Sequence, residues 1–101
     1  MISEKIIKDD LENIKYYSTR RYVLDSYFKN FCENNITALT EKYNKVMAFA
    51  PIKLYHLYVL RYLKGSTQEY TADEMGFTHT TVHSMHNSLL HWLCENVPNE
   101  D

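Results

Sequence analysis

The sequence predicts an all-α fold, a compact helical bundle that closes on two helices joined by a tight turn. Three observations carry this. Apolar residues recur at i, i+3 or i+4, and i+7 through most of the chain, the spacing of one helical face. Only two glycines and two prolines interrupt 101 residues, so turns are few. No stretch alternates apolar and polar residues as a strand does, and there is no Asn-Gly hairpin signal.

Ile7, Leu11 and Ile14 mark an amphipathic helix over about residues 3–17. Ser18 and Thr19 in "YSTRR" offer a break and a cap, and Leu24, Tyr27 or Phe28, and Phe31 predict a second helix from about 20 to 33. "ENN" at 33–35 interrupts it. Ile36, Leu39, Tyr43 and Val46 define a third stripe, which ends before Pro51. "PIKLYHLYVLRYLKG" then places Pro51 in a first turn and Gly65 at a C-cap, with almost every position between them apolar or aromatic. A helix apolar nearly all round belongs at the centre of a fold. The chain is expected to form a single domain over 1–101. Its parts are N-terminal helices over 1–50, the central helix and the turn-linked pair over 51–95, and an acidic tail over 96–101.

Composition limits the functions available. The chain is 45% hydrophobic and 24% charged, globular rather than disordered. Its nine tyrosines and four phenylalanines are read as core and rim packing. Cys32 and Cys94 lie far apart and form no C-x-x-C pair, which fits free thiols in a reducing cytosol. The N-terminus lacks a signal-peptide core and no apolar run approaches a membrane span, so the expectation is a soluble cytoplasmic protein with no membrane partner. There is no phosphate-cradling glycine loop, no H-E-x-x-H and no nucleophile elbow, so no enzyme and no cofactor is expected. Charge is strongly divided. Residues 1–64 hold all eleven basic side chains against seven acidic ones, a net of +4, whereas residues 65–101 hold six acidic and no basic ones, a net of −6.

The turn-linked pair carries the functional signal. Ser66 with Glu69 fits a capping box, with Thr67 the alternative N-cap, and the short helix that follows ends at Gly76. Thr78 caps the longer helix after it. Ala72 is small where two helix axes approach, Gly76 tolerates positive φ at the turn, and Val82 anchors the second helix, with Met75 and Phe77 as flanking core contacts. This Ala-x3-Gly-x5-Val spacing is that of a helix-turn-helix. In the second helix Val82, Met85, Leu89 and Leu93 form an inward stripe. His79, Thr80, His83, Ser84 and Asn87 point the other way, in the half where a recognition helix meets base edges. Thr, Ser and Asn hydrogen-bond bases, and helix-start N–H groups near Thr78 can donate to a phosphate. Lys64, just before the turn, is a candidate phosphate contact. Arg20 and Arg21, with Lys15 nearby, are either a second DNA contact or a solvated helix end. Arg61 is expected to pair with Glu69.

Residues 57–93, "LYVLRYLKGSTQEYTADEMGFTHTTVHSMHNSLLHWL", resemble the C-terminal DNA-binding region 4 of sigma-70 factors. There, too, a helix ending in an Arg-Tyr-like pair and a glycine precedes the same Ala, Gly and Val spacing. The longer layout looks like the ArpU- and RinA-like phage transcriptional regulators. The resemblance implies a sequence-specific regulator of phage or prophage type, acting in the bacterial cytoplasm on double-stranded DNA and in contact with RNA polymerase. The chain departs from the pattern at Thr71, where Ile or Val is usual, in its histidines where basic residues are usual, and in its acidic end "ENVPNED".

Other readings stand beside this one. The same shape serves a protein-interaction module that binds RNA polymerase, a sigma factor or another regulator without holding DNA. A third is a small phage packaging subunit, which a ring-shaped oligomer would mark. His79, His83 and His86 at i, i+4, i+7 share a face, but zinc needs a further ligand and no Cys or Asp lies on that stripe, so no metal is expected. Protonation of those histidines below about pH 6.5 adds positive charge and favours DNA. Leu90 falls on the histidine side of "LLHWL" and Trp92 is read as a core or dimer anchor, an apolar excess that suggests a partner surface; homodimerisation would double the DNA contacts.

Overall fold

The computed structural model describes residues 2–27 and 36–98, with backbone alone over 21–27 and at 36. Among the described residues every regular element is helical. They are α1 (Glu4–Tyr27), α2 (Ile36–Met47), α3 (Ile52–Tyr58) continuing as a π-helical turn (Val59–Leu63), α4 (Gln68–Met75) and α5 (His79–Asn96).

α1 forms as its stripe requires: Ile7, Leu11 and Ile14 are fully buried on one face. The expected break at Ser18 and Thr19 does not occur. Thr19 Oγ1 donates back to the Lys15 carbonyl at 2.8 Å, a bond a helix interior accommodates, and the helix continues to Tyr27. The start of the expected second helix at 20 is therefore the last two turns of α1. Its remainder, with Phe28, Phe31, Cys32 and the "ENN" interruption, lies outside the described residues, as do the side chains of Leu24 and Tyr27. α2 buries Tyr43 and Met47 and ends four residues before Pro51.

α3 starts after Pro51, whose carbonyl accepts from the Tyr55 N–H at 3.0 Å. It is not apolar all round in its setting: Leu57 and Tyr58 are fully buried, while Ile52 is 77% and Tyr55 42% exposed. Its continuation widens into a π turn, with the Lys64 N–H bonding the Val59 carbonyl at 2.9 Å and the Ser66 N–H reaching the Leu60 carbonyl at 2.8 Å. Gly65 ends it at φ +69. The π turn packs on α1 and α4, and α5 packs on α1, α3 and α4, so the centre is shared between them.

Burial on several sides of α5 corrects two readings. Leu90 is 2% exposed and belongs to the core, not to a partner surface. The acidic end begins later than 96: Asn96 closes α5 and Val97 is 4% exposed, its N–H bonded to the Leu93 carbonyl at 2.8 Å. Cys94 is a buried free thiol. No helix among the described residues is long and apolar enough to cross a membrane.

The two glycines make a sharp test of packing. A Cβ at Gly65 would stand 2.3 Å from Thr19 Cγ2, whereas one at Gly76 meets nothing within 4 Å. Both have positive φ, so Gly76→Ala should cost about 1–2 kcal/mol from backbone strain alone. Gly65→Ala should lose about a further 1–3 kcal/mol, because the β-branched Thr19 is held by its own hydrogen bond. Urea denaturation of both variants reads the difference. Adding Thr19→Ser, which removes Cγ2 and keeps the hydroxyl, should return the extra loss.

Candidate nucleic-acid interface

The turn between α4 and α5 is built by its caps. Thr67, rather than Ser66, is the N-cap of α4, its hydroxyl accepting from the Tyr70 N–H at 3.1 Å. Thr71 is fully buried, and its hydroxyl donates to the Thr67 carbonyl at 2.7 Å. A polar residue thus occupies a core position without an orphaned group. Gly76 takes φ +73 and closes α4, while Ala72 and Val82 are both 1% exposed where α4 meets α5. Met75 and Phe77 pack partly buried against the core, as expected.

Thr78 caps α5. Its hydroxyl accepts from the Thr81 N–H at 3.2 Å and also donates to Thr81 Oγ1 at 3.0 Å, so its side chain is committed to the helix. The His79 and Thr80 N–H groups precede the first helical bond, which runs from Val82 to the Thr78 carbonyl. They leave a positive helix end open to an anion. His79, Thr80, His83, Ser84 and Asn87 are all exposed. The structure therefore brings together the polar face expected of this helix, and Val82, Leu89 and Leu93 are buried on the other side, with Met85 partly so.

His86 leaves the set. Its Nε2 is hydrogen-bonded to the Tyr62 hydroxyl on the π turn. Burial pushes the Tyr62 phenol up to about 12, so it keeps its proton. Desolvation holds His86 below the usual histidine range, helped by the charge of Arg61, by His83 and by Lys8, and opposed by Glu12. The histidine stripe is thus two exposed imidazoles and one structural one. Among the described residues no three His, Cys, Asp or Glu side chains are grouped to hold a metal.

Positive charge gathers at the entry to α4. The Thr19 methyl group abuts Gly65, which sets that turn of α1 beside Gly65 and its neighbour Lys64. Lys64 and Arg20 are both exposed at this corner. Arg20 lies 4.3 Å over the Tyr16 ring and donates to Thr19 Oγ1 at 3.2 Å. The Arg21 side chain lies outside those described. Arg61 does not pair with Glu69. It donates to the Ser66 carbonyl at 2.5 Å, because the widened turn leaves that carbonyl within its reach. The sequence alone gives no link between Lys64 and Arg20, since no local pattern records the approach of Thr19 to Gly65, 46 positions apart in the chain.

Acidic groups border the face. Glu69, Asp73 and Glu74 are exposed on α4, and Glu95 pairs with His91 at 2.7 Å at the far end of α5. Negative charge therefore flanks the polar face on two sides and leaves the start of α5 and the Lys64 corner as its open approach.

The Tyr62–His86 bond predicts a pH dependence of stability. The folded chain keeps His86 neutral where the unfolded chain, with a pKa near 6.5, takes up a proton. This contribution is complete above about pH 6.5 and is lost as pH falls below it towards the lower folded value. Urea midpoints measured from pH 7.5 to 5 should fall for the parent chain and fall less for His86→Gln.

Comparison of the chain with protein-family models, with curated proteins and with solved structures finds no match.

Proposed function

We propose that the chain is a sequence-specific, double-stranded-DNA-binding transcription regulator of phage or prophage type, acting through a sigma region 4-like helix-turn-helix. The exposed, uncharged hydrogen-bonding face at the start of α5 is the observation that carries the reading. In this reading Thr80, Ser84 and Asn87 meet base edges, with Asn suited to adenine, and His79 and His83 flank them. The His79 and Thr80 N–H groups, Lys64 and Arg20 take phosphates. Thr78 acts through its cap. The regulator works in the bacterial cytoplasm, pairs as a homodimer to double its contacts, and touches RNA polymerase.

The competing reading is a protein-interaction module that binds RNA polymerase, a sigma factor or another regulator. It is favoured by the exposed acids of α4 and by the exposed apolar residues of α3.

Fluorescence anisotropy with a pool of short duplexes, at low and moderate salt, separates the two. The DNA reading expects salt-dependent binding that survives nonspecific competitor. Asn87→Ala or Thr80→Ala should each cost about 1–3 kcal/mol at the selected site. Lys64→Ala or Arg20→Ala should weaken all duplexes alike and flatten the salt dependence. No duplex bound at either salt, even at pH 6, would leave the protein-binding module as the function.

A further inference from the structure

The side chains of α5 narrow what its exposed face can recognise. From His79 to Cys94 the helix has no Lys, Arg, Asp or Glu, and its first acid is Glu95, near the far end. In the major groove guanine is singled out by two donors placed on O6 and N7, which Arg or Lys supplies, and cytosine by a carboxylate that accepts from N4. The face offers neither. Lys64 and Arg20 stand at the corner before α4, not on α5, and in the DNA reading they take phosphates.

What the face does offer is one amide. Asn87 sets an acceptor beside a donor, which matches the N6–H and N7 of adenine. Guanine presents two acceptors there, so one end of the amide meets a like group whichever way it is turned. Asn44 and Asn96 spend their amides inside the fold, on Tyr58 and on the Trp92 carbonyl. The exposed Asn87 side chain has no such bond among the described residues.

The neighbouring side chains do not reverse this preference. The hydroxyls of Thr80 and Ser84 donate or accept and so tolerate any base, but Thr80 also carries a methyl group that packs on the thymine C5-methyl. The two nitrogens of His79 or His83 point apart, so each imidazole offers a base edge one bond at a time. A single donor finds N7 on both purines, and thymine O4 as readily as guanine O6. Thr80, Ser84 and Asn87 fall at i, i+4 and i+7, so the face spans about 10 Å of helix axis, the rise of about three base pairs.

We infer that the DNA element read by α5 has a short A·T core, with adenine at the Asn87 contact and thymine favoured at the Thr80 contact. The inference rests on the DNA-binding reading and names the class of site that reading requires.

Selection of duplexes bound by the full chain from a pool with a randomised segment tests it. The recovered sequences should share a position fixed as A·T. Replacing its adenine by 7-deazaadenine, which lacks the N7 acceptor, should weaken the parent by about tenfold and leave Asn87→Ala almost unaffected. Asn87→Arg should move the preference at that position from adenine to guanine. Replacing a fixed thymine by uracil, which lacks the methyl group, should weaken the parent more than Thr80→Ser, which keeps only the hydroxyl. These side chains are exposed, so unchanged helical circular dichroism should accompany each variant. A selected core made of G·C pairs, or a parent indifferent to 7-deazaadenine at every fixed adenine, would overturn the inference and leave the DNA reading standing. A pool from which nothing is enriched would overturn both.

Discussion

A buried tyrosine must find a partner for its hydroxyl, and this constraint holds the helices in register. Tyr43, Tyr58 and Tyr62 lie in the core, yet each phenol reaches a polar group on another element. Tyr43 donates to Asp10 of α1 at 2.7 Å, Tyr58 donates to Asn44 of α2 at 2.7 Å, and Tyr62 is hydrogen-bonded to His86 Nε2 of α5. Tyr17 accepts from Thr37 Oγ1 of α2 at 3.2 Å. Burying an aromatic ring stabilises by about 2–3 kcal/mol, and leaving its hydroxyl unpaired costs about 1–3 kcal/mol. The two are of the same size, so the partner decides whether the ring can be buried at all. Each bond ties one helix to a particular turn of another, and among the described residues no buried side-chain polar atom lacks a partner.

The candidate interface inherits its geometry from one of these bonds. The widened π turn presents Tyr62 to α5, and its bond to His86 fixes the rotation of that helix about its axis. With His86 held inward, Thr80, Ser84 and Asn87 are left on the solvent side, and the exposed imidazoles reduce to His79 and His83. The same widening frees the Ser66 carbonyl for Arg61, which therefore serves the turn rather than an ion pair with Glu69. A single extra residue per turn thus sets both what the helix shows and which basic groups remain for a partner.

Elements with a simple spacing were legible in the sequence. Ile7, Leu11 and Ile14 announce α1, Gly76 and Thr78 announce the turn, and Val82, Leu89 and Leu93 announce the buried side of α5. What escaped depends on competition between local and distant partners. Thr19 suits both a cap and a helix interior, and only packing against Gly65 decides. Ser66 and Thr67 are chemically equivalent caps, chosen by where the π turn ends. Leu90 and His86 sit at angles on α5 that look outward from the apolar stripe alone; α5 buries more than one face because three other helices pack on it. The π turn has no sequence signature, and its consequences at Arg61 and His86 were hidden with it.

The division of charge along the chain becomes a division in space. All basic side chains precede Gly65, yet Thr19 against Gly65 brings Arg20 to the corner where Lys64 stands. Screening limits each charge to about 8 Å at physiological salt. Glu95 stands sixteen residues along α5 from His79, about 24 Å at 1.5 Å per residue, and so contributes little field at the helix start. The acids of α4, Glu69, Asp73 and Glu74, are closer. In the DNA-binding reading the approach is therefore set by the Lys64 corner and the open N–H groups at the start of α5, where the positive helix end is not opposed by Glu95.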